Sequence, residues 1–74
     1  MTYELWDMDS RNLIGGYDRK RDALDAVRKN VRQHGEQVVR GIALISIGPR
    51  GKGHVVAEGD ELLRLALPDR AIPR

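Results

Sequence analysis

Three short stretches hold the residue types from which a reactive or binding site could be made. In WDMDSRN, Asp7 and Asp9 fall two apart and Asp18 follows, which matches positions 1, 3 and 12 of a calcium loop. The remaining positions do not fit. Arg11 stands where a further oxygen ligand is needed, Asn12 where the sharp turn needs glycine, and the closing acid is Asp rather than the longer, bidentate Glu. Turn-forming aspartates that bind their own backbone amides account better for the stretch. GPRGKGH, from Gly48 to His54, sets glycines beside Arg50 and Lys52 as a phosphate-cradling loop would. Yet Gly53 follows the lysine where a Walker loop needs Ser or Thr and then a helix, and the Gly48–Gly51 spacing of an RNA-clamping loop belongs between helices. A hairpin loop whose glycines satisfy unusual backbone angles explains the same composition. Finally, Arg21, Arg28 and Arg32 recur near one face of a helical segment, interrupted by Asp25. Such a face is ordinarily solvated and locally ion-paired.

Neither histidine has the neighbours that proton transfer or metal binding requires. His34 falls at the end of a helical pattern and His54 opens a strand, with no acid at ligand spacing; no GxSxG elbow is present. With 74 residues there is also little interior for a substrate cavity of a few hundred Å3. The reading is therefore a protein without enzymatic activity, cofactor, metal or small-molecule substrate. The absence of cysteine removes disulfides, thiolate metal sites and thiol nucleophiles together.

Net charge is +2, from 13 basic and 11 acidic residues, too small an excess to demand a nucleic acid. The N-terminal MTYELWDMDS places acids where a signal peptide needs a basic patch and an apolar run. The longest strongly apolar stretch, Ile42 to Ile47, is far below the roughly 20 residues needed to cross a bilayer. A cytoplasmic location with no membrane association is expected.

The elements that must position these residues follow from turn chemistry and periodicity. Tyr3 to Met8 reads as a strand, Asp9 to Asn12 as a turn and Leu13 to Tyr17 as a returning strand. Asp18 is placed to cap a helix over about Arg19 to His34, with Ala23, Leu24, Val27 and Val31 as its apolar stripe and Gly35 as its stop. Ile42 to Ile47 is apolar at nearly every position and suits a central strand buried on both faces. His54 to Glu58 forms a fourth strand, and Asp60 caps a short helix that Pro68 ends. The sum is an α+β fold in ββαββ(α) order: a single domain over residues 1–67, one small sheet with one main amphipathic helix on one face, and a flexible tail over residues 68–74. The long link from Tyr17 to Ile42 allows a crossover that sets the second and third strands parallel. Strand order stays open, and no internal repeat is visible.

YELWDMDSRNLIGGYD, the following RDALDAVR, the HG that ends the helix and HVVAEGDELLRLA near the end together resemble a widespread set of small bacterial domains of unknown function. The resemblance covers most of the chain and implies a compact bacterial domain. It implies no activity, ligand or site.

If the first hairpin closes at Ser10 and Arg11, Met8 opposes Leu13, Trp6 opposes Gly15 and Glu4 opposes Tyr17. One face then holds Trp6, Met8, Leu13 and Tyr17, the other Tyr3, Leu5 and Ile14, and Gly15 leaves room for the indole. In the second hairpin Ala43, Ile45, Ile47 and Val56 share a face, opposite Ile42, Leu44, Val55 and Ala57. Both faces are apolar and one helix shields one of them, so a homodimer or protein partner is expected on Trp6, Met8, Leu13, Tyr17, Ile45 and Val56. The alternative is that the C-terminal helix covers the second face within a monomer. As a competing function, the 48–54 loop and the main helix would contact nucleic acid through Arg21, Arg28, Arg32, Arg50 and Lys52.

Overall fold

The computed structural model describes residues 1–68. Strands β1 (Thr2–Asp7) and β2 (Asn12–Tyr17) lead into helix α1 (Lys20–His34) and a short 3-10 helix (Glu36–Gly41). Strands β3 (Ile42–Ile47) and β4 (Gly53–Glu58) then lead into helix α2 (Asp60–Ala66). The four strands form one antiparallel sheet in the order β2-β1-β3-β4, and the fold is α+β as the sequence predicts. Because β1 is antiparallel to both its neighbours, β2 and β3 do run parallel, separated by β1 rather than paired. All but the first residue of the expected tail lies outside the described residues.

Local chemistry explains most of the element ends. Asp7 Oδ1 accepts the backbone amides of Asp9 and Ser10 at 3.0 and 3.4 Å, an Asx turn that tightens the β1–β2 link, and Arg11 closes it at φ 60°. Gly35 ends α1 at φ 91°, its amide donating to the Val31 carbonyl at 2.8 Å. Two expected caps are displaced. The residue at the start of α1 is Arg19, without a side-chain cap, and Asp18 lies one position too early; α2 begins from Gly59 at φ 59°, leaving Asp60 in the first turn. The Gly59 amide donates to the Ile42 carbonyl at 3.2 Å, so the chain must turn there at once, and that backbone angle favours glycine.

Both helices lie on the same side of the sheet. Leu5, Ile42, Leu44 and Ala57 from the strands, Ala23 and Val27 from α1, Val39 from the 3-10 helix and Leu62 and Ala66 from α2 form one buried cluster. Arg28 ties the helices together by donating to the Ala66 carbonyl at 2.7 Å while pairing with Asp25. The segment EQVVRG, read from sequence as a plain connection, thus contributes a core residue through Val39.

Each hairpin carries a bulge, and this alters the expected faces. Leu5 pairs with Gly15 and Trp6 with Leu13, so Ile14 is the extra residue of β2. Leu44 pairs with Ala57 and Ile45 with Val55, so Val56 is the extra residue of β4. Beyond each bulge the alternation shifts by one, which sends every later side chain to the opposite face. Tyr17 therefore pairs with Tyr3 and packs against the core, and Val56 also turns to the core while Val55 faces out. Gly15 makes room for the Tyr17 ring rather than for Trp6: a Cβ there would fall 2.6 Å from the phenol oxygen.

The matching registers also disclose a relation that the sequence conceals. A two-fold axis normal to the sheet at the Leu5–Leu44 pair carries Leu5–Gly15 onto Leu44–Ala57, Trp6–Leu13 onto Ile45–Val55 and the Ile14 bulge onto Val56. Each hairpin is followed by a helix on the same face. The chain is two ββα halves.

Candidate functional site

Opposite the helices, the outer face of the sheet is covered by no element among the described residues. Two rows define its middle. Leu13, Trp6, Ala43 and Glu58 lie side by side across β2, β1, β3 and β4; Gly16, Glu4, Ile45 and Val55 form the next row on this face. Thr2, Ile47 and Gly53 extend it at one end. Val55 is 59% exposed and Leu13 51%, and Met8, just past β1, is 49% exposed. Trp6, Ile45 and Ile47 are half-buried, and Ala43 is fully buried beneath its neighbours without belonging to the helix-side core. The indole N–H of Trp6 donates to Glu4 Oε1 at 2.9 Å, which ties the ring along its own strand and pairs the one carboxylate at the centre of the face. No lysine or arginine occupies these rows.

The apolar side chains of the two rows fall on one diagonal, Leu13 with Trp6 and Ile45 with Val55, while Ala43 with Glu58 and Gly16 with Glu4 each set a small residue beside a carboxylate on the other. The pseudo-two-fold axis exchanges the two apolar pairs with each other. Around Gly16 the surface is open, with no heavy atom outside its chain neighbours within 4 Å of a Cβ placed there.

Of the six residues expected on this surface, Trp6, Met8, Leu13 and Ile45 are exposed or half-exposed as it requires, whereas Tyr17 and Val56 belong to the other side. Val55 takes the place of Val56. Sequence reasoning missed it because the bulge leaves no residue-type signature in HVVAE that says which valine is the extra one.

The basic candidates do not gather into one patch. The β3–β4 loop leaves the sheet at the end where β1 begins, and α1 also starts there, so Arg50, Lys52 and Arg21 share that end. Arg28 and Arg32 lie further along α1, which leads to the opposite end, and the Arg28 guanidinium is engaged by Asp25 and the Ala66 carbonyl. Within the loop, the Gly48 amide donates to the Lys52 carbonyl and the Gly51 amide to the Gly48 carbonyl, both at 2.9 Å. Those two donors are spent on closing the hairpin. Asp7 is likewise occupied with its Asx turn, and among the described residues no group of three His, Asp or Glu gathers to hold a metal ion. A shallow open cleft between β4 and α2 is walled by Val56, Arg64 and the exposed Glu58, Asp60 and Glu61.

The fold and its surface thus define a small α+β sandwich, two layers deep, with one sealed and one open apolar sheet face. No protein-family model, no curated protein and no solved structure matches the chain. No helix among the described residues is long and apolar enough to cross a membrane.

Proposed function

We propose that the protein is a non-enzymatic protein–protein interaction module that associates with itself, acting through the outer face of its sheet. The observation that carries this reading is the exposure of Leu13 and Val55 on a face whose central rows hold no basic residue. Apolar area is driven out of water at about 25 cal/mol per Å2, so such a face is a standing source of association free energy. Scattered single apolar residues would mean little, but a continuous patch rimmed by polar loops is the usual form of a docking surface. The test is sedimentation equilibrium of the purified chain from low micromolar to millimolar concentration. Rising mean mass is expected; a single 8.3 kDa species throughout would overturn the reading.

The nucleic-acid alternative has weaker support, because its five cations are divided between the ends of α1 and one of them is already paired. Phosphate contacts release counterions and so give steeply salt-dependent binding. Titration with random duplex and single-stranded oligonucleotides at low salt is expected to show no saturable binding.

A further inference from the structure

We infer that the two bulges close the edges of the sheet, holding it at four strands and denying a second copy an edge on which to pair. The inference is independent of the outer-face reading above. Strands β2 and β4 are outermost, each paired on one side only. Their free sides present backbone amides and carbonyls, a template for a further strand. No helix covers the β4 edge. Val55, Val56, Ala57 and Glu58 follow one another and all line the same open cleft, as consecutive residues of a strand do along a free edge.

The residues of these edges offer little other protection. NLIGGY and GHVVAE hold no lysine, arginine or proline, the residues that ordinarily discourage edge pairing, and the single acid, Glu58, stands at the end of β4. Ile14 and Val55 are 42% and 59% exposed. What each edge does hold is one extra residue. The β1–β3 pairing at the centre of the sheet runs without interruption, whereas Ile14 interrupts β2 and Val56 interrupts β4, in both cases on the edge strand rather than on its inner neighbour. A bulge shifts the alternation of outward-pointing backbone groups by one and bends the strand, so a straight incoming strand that matches the edge on one side of the bulge fails on the other. The longest regular runs left are residues 15–17 and 53–55, against about five or six residues in an ordinary strand. The pseudo-two-fold relation gives both edges the same defence.

Deleting the extra residue tests the device. Removal of Ile14 leaves Leu13 opposite Trp6 and Gly15 opposite Leu5, and removal of Val56 leaves Val55 opposite Ile45 and Ala57 opposite Leu44, so the observed pairs survive while each edge becomes regular. Sedimentation is to be run at a concentration low enough for the parent to be a single 8.3 kDa species, where outer-face association contributes nothing. Each single deletion frees one edge, and a rise in mean mass to that of a two-fold dimer is expected. The double deletion frees both edges and is expected to give open-ended species that bind thioflavin T. A folded double deletion that stays at the parent's mass would overturn the inference, whatever the parent does at high concentration. Ile14→Lys supplies a check that does not depend on the deletions folding. Ile14 is unpaired and partly exposed, and it is the equivalent of Val56, on the helix side of the sheet and away from the outer face. The substitution adds an edge lysine where the edge is already closed, so the concentration dependence of the mass is expected to match the parent's. Weaker association in Ile14→Lys would show that the β2 edge is in use and refute its closure.

Discussion

The inner face of the sheet buries Leu5 and Leu44 completely, whereas the outer face of the same four strands leaves Leu13 and Val55 more than half exposed. Residue type accounts for part of the difference, since both faces draw on Leu, Ile, Val and Ala but the outer rows also hold Glu4, Gly16 and Glu58. What also separates them is the placement of cover: α1, the 3-10 helix and α2 all lie on one side, and among the described residues no element lies on the other. Similar apolar side chains therefore stabilise the monomer on one face and stay in contact with water on the other. The pseudo-two-fold relation sharpens this point. Two ββα halves joined about an axis normal to the sheet must place both helices on one side.

The comparison can be broken most severely from inside. Leu5→Ala or Leu44→Ala removes a fully buried side chain at the axis, and a loss of about 2–5 kcal/mol is expected in urea unfolding. A domain this small holds only a few kcal/mol in reserve, so either variant is expected to be largely unfolded at 25 °C by far-UV circular dichroism. Gly59→Ala forces an L-residue to φ 59°, ψ −129° where the chain enters α2; about 1–3 kcal/mol should be lost, read as a lower denaturant midpoint with unchanged slope. Arg28→Met removes the donor that holds the Ala66 carbonyl, and about 1 kcal/mol is expected, with increased hydrogen exchange in α2. Arg19→Asp goes the other way. It supplies the missing cap at a residue already extended (φ −126°, ψ 143°), and thermal denaturation should show about 0.5–1 kcal/mol of added stability.

The smallest stability effect is expected on the outer face. Leu13→Ser and Val55→Thr remove apolar surface that no other part of the described chain contacts as core, so unfolding of the dilute monomer should change by less than about 0.5 kcal/mol. Their effect is reserved for association, measured at high concentration as a lower mean mass. A Leu13→Ser variant that unfolds as readily as Leu5→Ala would show that the two faces are not distinct in role.

Much of the fold was legible in the residues. The turn aspartates, the helical stripe of Ala23, Leu24, Val27 and Val31, the stop at Gly35 and the continuously apolar Ile42–Ile47 each reported on local backbone preference or period, and each element formed where those signals placed it. The helix starts were less legible, because a cap depends on backbone angles one residue either side: Asp18 and Asp60 are good capping types standing next to the residues that begin the helices. The candidate surface was legible in four of its members. Tyr17 and Val56 were misassigned because a face is inferred by counting in twos from the turn, and a bulge changes the count without changing the composition.

The sequence alone determined the elements, their order and the excess of apolar strand surface over helix to hide it, because those follow from local propensity and from counting side chains. Only the tertiary structure decided that β1 would stand between β2 and β3, that Ile14 and Val56 would be the extra residues, and that both helices would share a side. The strand order depends on pairings between residues some forty positions apart, centred on Leu5 and Leu44, which no signal within either hairpin specifies; the bulges lie inside the hairpins but change the count along a strand without changing its composition.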